Sequence, residues 1–286
     1  MITRRSLVNA LALALPVKLL SAEAKAVDER LITALSLETV TNGVATTPAG
    51  RIFLVLTRID GSDGPRVIEW NGGKLAPYPD LAWNSWTSGQ SADGKLVRAN
   101  ALRIGAEGDL WLVDVGSPAI GQQKVAHGPK IVRIDLATNS VRRVYDLDSG
   151  TNSDSFIDDI RFNSAVAYIT DAGSPGLIVL DLATGSTRRV LDGDRSVTAQ
   201  RPLTAEGQEM HGPDGKPVFI HADQIEVSPD GTWLYYRLVP VRFTGSPRAG
   251  LRISALRRRK WHDKSTKWQR RRQLAGRRST RRETSV

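Results

Sequence analysis

Three oxygen-bearing residues recur in similar settings along the chain: Asn100, Asp158 and Asp223. They stand 58 and 65 residues apart. Each lies in a short polar run that leads into an apolar segment: Asn100-Ala-Leu-Arg103, Asp158-Asp-Ile-Arg161 and His221-Ala-Asp-Gln-Ile225. Gathered at one place, two carboxylates and an amide offer the oxygen donors that a hard cation such as Ca2+ takes. The competing reading is structural, because Asp and Asn cap turns by bonding backbone amides. Arg103 and Arg161 follow the first two positions by three residues. Their guanidinium groups suit a ligand carboxylate, or ion pairs between neighbouring elements. His221 stands two residues before Asp223 and reads as a general base or as a turn histidine. The candidate ligand-binding set is therefore Asn100, Arg103, Asp158, Arg161, His221 and Asp223, with Asn100, Asp158 and Asp223 as metal ligands. Asp114 and Asp171 close apolar runs and read as turn formers.

Several other chemistries are excluded. There is no cysteine, hence no disulfide framework, no thiolate nucleophile and no Cys-ligated zinc. His127, His211, His221 and His262 show no zinc spacing of the His-Glu-x-x-His kind. No Gly-x-Ser-x-Gly elbow and no glycine-rich phosphate loop occurs. Trp83 and Trp86 read as packing residues, with an aromatic ligand site as the alternative.

The elements that would position these residues are strands. Apolar alternation appears in Arg51–Leu56, Leu110–Val113, Lys130–Ile134, Ala167–Thr170, Leu177–Leu180 and Trp233–Tyr236. Turns rich in Gly, Asp, Asn and Pro separate them, as in Asn71-Gly-Gly73, Glu107-Gly-Asp109 and Pro229-Asp-Gly231. Many short strands with regular turns mean an all-β sandwich, barrel or propeller. The repeats choose among these. Ile134-Asp-Leu-Ala-Thr-Asn-Ser-Val-Arg-Arg-Val144 matches Leu180-Asp-Leu-Ala-Thr-Gly-Ser-Thr-Arg-Arg-Val190 at an offset of 46 residues. Each copy reads as strand, tight turn, strand. Four-stranded propeller blades repeat at about 40–50 residues, so the expected fold is an all-β propeller. In a propeller, loops that enter the innermost strands converge on the mouth of a central channel. Asn100, Asp158 and Asp223 share that register.

The run of motifs resembles the major royal jelly and yellow proteins. It comprises Asn100-Ala-Leu-Arg103, Gly108-Asp-Leu-Trp-Leu-Val-Asp114, Asp158-Asp-Ile-Arg161, Ala222-Asp-Gln-Ile225 and Ser228-Pro-Asp-Gly231. Its most specific stretch is Ala167-Tyr-Ile-Thr-Asp-Ala-Gly-Ser-Pro-Gly-Leu-Ile-Val-Leu-Asp-Leu182. The likeness spans about Gly43 to Tyr236. It implies a six-bladed propeller, related in shape to calcium-dependent lactonases of the regucalcin type. In those lactonases Asn and Asp at this register bind the metal; in yellow-type proteins the channel mouth binds small molecules. The sequence departs from the family pattern at Asp158, where Asn is usual, and at Ala101 and Gln224, where Gly is usual. The resemblance implies a secreted propeller that binds a small organic molecule at the channel mouth. The alternative is a metal-dependent hydrolase or isomerase of the lactonase kind, and the residues do not decide between binding and catalysis.

The two ends differ from the body. Thr3-Arg-Arg-Ser6, the apolar run Leu7–Val17 and the small residues around Ala22, Ala24 and Ala26 have the layout of a signal peptide. The Arg4-Arg5 pair fits the twin-arginine route. Cleavage after Ala24 or Ala26 would deliver the protein outside the cytoplasm, secreted or periplasmic. The apolar run is too short for a transmembrane helix. The domain plan is a signal peptide at 1–26, the propeller at 27–240 and a basic tail at 241–286. Of the net charge of +10, the tail carries 16 Lys or Arg against Asp263 and Glu283, leaving the body at −4. The body thus lacks the basic face of a nucleic-acid-binding domain and is expected to be a monomer. The tail shows neither strand alternation nor blade motifs. It reads as a disordered segment or the product of a shifted reading frame, with a basic arm as the other option. On this reading the body holds four to five blades in an unclosed arc.

Overall fold

The structure is a computed structural model and describes residues 32–212, 214–239 and 250–252. The segment 1–26, read as a signal peptide, and most of the 241–286 span lie outside the described residues. Contacts divide the chain into Met1–Glu38 and Thr39–Val286. The described part of the first unit contains no strand, and every strand belongs to the second.

That second unit is a propeller built of antiparallel meanders. The first sheet holds β1 (Thr41–Thr46), β2 (Ile52–Leu56), β3 (Val67–Asn71) and β4 (Lys74–Pro77). The second holds β5 (Ala99–Ile104), β6 (Leu110–Asp114), β7 (Lys130–Asp135) and β8 (Ser140–Asp146). The third holds β9 (Ile157–Asn163), β10 (Val166–Asp171), β11 (Gly176–Asp181) and β12 (Thr187–Val190). A small hairpin, β13 (Thr204–Ala205) with β14 (Gln208–Glu209), precedes the fourth sheet. That sheet holds β15 (Ile220–Val227), β16 (Trp233–Val239) and β17 (Gly250–Arg252). Strands lie side by side in chain order within each sheet. The first strands pack on one another in succession, β1 on β5, β5 on β9 and β9 on β15. This succession places the four first strands side by side along one inner edge of the blades. Among the described residues there are four blades, and no substantial packing joins the first sheet to the fourth.

The core lies between the blades. Phe53, Val55 and Val67 of the first sheet meet Leu102, Leu110 and Val132 of the second. Trp111 and Ile131 of the second meet Ile157, Ile169 and Ile178 of the third. Tyr168 and Val179 of the third meet Ala222, Ile225 and Leu234 of the fourth. The middle strands β6, β10 and β11 are buried on both faces, which is why their sequences run apolar without alternation. Each fully buried Leu, Ile or Val contributes about 1.5–3 kcal/mol.

The repeated hairpin sequence has a local cause. Asp135 Oδ1 accepts from the amides of Ala137 and Thr138, and Asp181 Oδ1 from those of Ala183 and Thr184. These Asx turns carry the chain to Asn139 and Gly185, both at positive φ. The turns also receive the neighbouring blade. Arg51 Nη1 donates to the Leu136 carbonyl at 2.7 Å, and Arg143 Nη1 to the Leu182 carbonyl at 2.8 Å. Asp-Leu-Ala-Thr is therefore both a turn and an interblade socket.

Gly250–Arg252 pairs with Trp233–Tyr235 as the third strand of the fourth sheet, inside the span read as strandless. Main-chain hydrogen bonds along the open edge of β16 need no apolar alternation in the strand that joins it.

Candidate functional site

Each innermost strand is broken near its start by a β-bulge. Thr41 pairs with Leu56 and Gly43 with Val55, leaving Asn42 as the extra residue. Ala99 pairs with Asp114 and Ala101 with Val113, leaving Asn100. Ile157 pairs with Asp171 and Ile160 with Ile169, so Asp158 and Asp159 stand opposite Thr170 alone. Ala222 pairs with Leu238 and Gln224 with Arg237, leaving Asp223. A bulge takes a residue out of the two-face alternation and re-aims its side chain. Four polar side chains are thereby turned from the interblade core toward one another.

They meet in a chain that runs in one direction around the blades. Asn42 Nδ2 donates to the Asn100 carbonyl at 2.9 Å and to Asn100 Oδ1 at 3.0 Å. Asn100 Nδ2 donates to the Asp158 carbonyl at 3.2 Å and to Asp158 Oδ1 at 2.5 Å. The carboxyl groups of Asp158 and Asp223 hydrogen-bond each other. Thr170 Oγ1 donates to the Asp223 carbonyl at 2.7 Å, fixing the last bulge. Asn100 is only 4% exposed, and both Asp residues are half-buried. Burial pushes Asp158 up to about 8, helped by the negative charges of Asp223 and Asp159. Burial raises Asp223 as well. The pair therefore holds a proton at neutral pH. With that proton, Asp158 donates to Asp223 as the amide of Asn would.

Of the residues expected from sequence, Asn100, Asp158 and Asp223 come together. Asn42 belongs with them and was missed. Its signal was present: Asn42 precedes Asn100 by the 58 residues that separate Asn100 from Asp158, and Gly43 follows it. Arg103 and Arg161 reach other groups. Arg103 Nη2 pairs with Asp159 at 2.5 Å, Arg161 Nη1 with Asp159 at 2.7 Å and Arg161 Nε with Glu226 at 2.9 Å. These pairs tie the second, third and fourth blades below the ring. His221 Nδ1 accepts from the Ala199 amide at 3.0 Å, and burial lowers its pKa. Its proton then sits on Nε2. Trp86 is buried with Ala92 and Val97, and Trp83 packs against the core between the first and second blades.

Asp114 and Asp171 hold the loops around the ring. Asp114 accepts from the amides of Val97, Arg98 and Gly116 and pairs with Lys130 Nζ at 3.2 Å. Asp171 accepts from the amides of Phe156, Gly173 and Ser174 and pairs with Arg189 Nη1 at 2.8 Å. Both carboxylates thus join the loop that enters an innermost strand to the loop that leaves the next strand. Arg98 and Phe156, two residues before Asn100 and Asp158, stack with the guanidinium 4.8 Å from the ring centroid. Burial lowers Arg98 to about 10.

The ring offers amide and carboxyl oxygens, two of them acidic, and neither Arg103 nor Arg161 neutralises it. That donor set fits a hard cation with oxygen ligands. It equally fits the N–H or O–H groups of an organic molecule, and its charge opposes anions.

The family model for major royal jelly protein matches residues 97–244, about half of the chain. The chain belongs to the major royal jelly protein family. The match covers three of the four ring positions. No curated protein matches the chain. Solved structures similar to this family member include YCF48 with a bound D1 peptide, 12% identical with a TM-score of 0.41 over 69% of this chain and 47% of that one. Others are virginiamycin B lyase from Staphylococcus aureus (13%, TM-score 0.39, 70% and 64%) and an auxiliary nutrient binding protein from Bacteroides thetaiotaomicron (12%, TM-score 0.37, 68% and 44%). The chain spans about half the length of the first of these. No helix among the described residues is long and apolar enough to cross a membrane.

Proposed function

We propose that this propeller is exported and, as a monomer, binds a small organic molecule at its channel mouth. The observation that supports this is the ring of Asn42, Asn100, Asp158 and Asp223, one from each blade and each at a bulge. Fixed oxygen acceptors beside a half-buried acid pair select for a ligand with hydroxyl, amine or cationic groups. Arg103, Arg161 and His221 serve the site from behind, by holding blades and loops in place. Thermal melts of wild type and of Asn100→Leu against a panel of small amines, polyols and carboxylates test this. Amines or polyols should stabilise wild type alone; equal stabilisation of both would remove the ring from the account.

The acid pair favours a second reading, a metal-dependent hydrolase or isomerase. Asn100, Asp158 and Asp223 would hold a Ca2+ ion, with Asn42 beside them. Such an ion supplies Lewis-acid polarisation of a carbonyl. Asp158 and Asp223 would release their shared proton on binding it. Stoichiometric Ca2+ in the purified protein, with turnover lost on chelation, is the result this reading requires.

A further inference from the structure

The connection from β6 to β7, residues 115–129, brings His127 against the end of β8. Its Nδ1 and one carboxylate oxygen each from Asp146 and Asp148 lie within 4.8 Å of one another. We propose that His127, Asp146 and Asp148 form a binding site for a divalent transition-metal ion of the zinc class. None of the three lies on an innermost strand, so this is a site separate from the ring.

The imidazole nitrogen is what separates this group from an ordinary acidic surface. One nitrogen with two carboxylates is a borderline donor set that suits zinc-like ions better than Ca2+ or Mg2+. The frame is fixed without an ion. The His127 amide donates to Asp148 Oδ2 at 2.7 Å, and the Asp148 amide to Asp146 Oδ1 at 2.7 Å. Lys124 Nζ holds Asp148 Oδ1 and the Thr151 carbonyl at 3.0 and 3.2 Å, anchoring the turn behind the site. The ring nitrogen lies 2.5 Å from Asp146 Oδ2 and 3.9 Å from Asp148 Oδ2. A four-coordinate ion at about 2.0–2.2 Å from each donor sets donors about 3.4 Å apart. The first distance opens by under about 1 Å and the second closes by about 0.5 Å, within reach of side-chain rotation. His127 is 60% exposed and Asp146 47%, so water completes the coordination. The Asp146 carboxylate raises the pKa of the His127 imidazole, so an incoming ion displaces a proton; with Lys124 counted, the two carboxylates then leave one negative charge to hold the cation. An ion here would join the β6–β7 connection to the β8–β9 connection, which leads into the strand that carries Asp158.

The test is a Co2+ titration of the full chain without a histidine tag, followed by Zn2+ competition. Visible Co2+ bands report four-coordinate ligation. One equivalent should bind and be displaced by Zn2+. His127→Ala should weaken binding at least tenfold, while Asp214→Asn, at an exposed turn outside both groups, leaves it unchanged. If His127→Ala does not fold, Asp146→Asn should give the same loss. No saturable binding, equal binding in the His127 and Asp146 variants, or an equal loss in Asp214→Asn would overturn the proposal.

Discussion

At position 158 a carboxylic acid stands where an amide would continue the Asn42–Asn100 chain. Protonated, it donates to Asp223; ionised, it faces a second carboxylate in a half-buried place. Its raised value of about 8 fixes the sign of a pH effect. Between about pH 4 and 8 the folded protein keeps a proton that the unfolded chain has released, so stability falls as pH rises through that window. Asp158→Asn reduces the slope, leaving only what burial of Asp223 contributes. Denaturant unfolding in chelator should find the variant equal to wild type at pH 5 and more stable at pH 8.5 by on the order of 2 kcal/mol. Identical pH profiles would show that Asp158 titrates normally. Asn42→Ala should cost only about 0.5–1.5 kcal/mol, since Asn42 is exposed. Asn100→Ala should cost more, because it unpairs groups on both sides. Three ring positions were legible in sequence because each heads a repeated motif. Asn42 carried only the 58-residue spacing and Gly43 after it, without the Leu-Arg or Ile-Arg that follows Asn100 and Asp158, and so was passed over.

At the scale of the strand, a bulge and a carboxylate act together in each of the middle blades. The bulge turns the ring residue inward, and Asp114 or Asp171 closes the loops above it. Asp114 and Lys130 are 0% and 3% exposed, so removing one partner strands a buried charge. Asp114→Ala should cost about 3–5 kcal/mol by denaturant unfolding, and adding Lys130→Met should restore part of that loss. A cost below about 1 kcal/mol would mean the clamp is dispensable. Strand positions and the hairpin repeat were readable from apolar runs and Asx turns. The bulges were not, because a two-against-one backbone count has no side-chain signature. The His127 group was equally hidden, since its members come from the loop before β7 and from the end of β8 and the turn after it, with no metal-ligand spacing between them.

Across the molecule the blades differ in how much packing they receive. The second and third are covered on both faces; the first and fourth have one described neighbour each. Hydrogen exchange should therefore be slowest in β6, β7, β10 and β11 and faster in β1 and β16. Uniform protection across all four sheets would contradict this. The propeller was legible because a blade is a short meander that repeats, with the same offset in turn and socket. The third strand of the fourth sheet was not, because three residues, Gly250–Arg252, are too few to show a strand period. Export is tested by sequencing the mature N-terminus, which should begin at Lys25 or Val27; an intact Met1 form confined to the cytoplasm would exclude it. The central claim is that four bulged residues make one binding site at the channel mouth. Isothermal titration of wild type and the Asn100→Leu/Asp223→Asn double variant with small organic amines and polyols tests it most directly. Saturable binding to wild type, weakened at least tenfold in the double variant, is the predicted result; equal binding by both, or binding by neither, would contradict it.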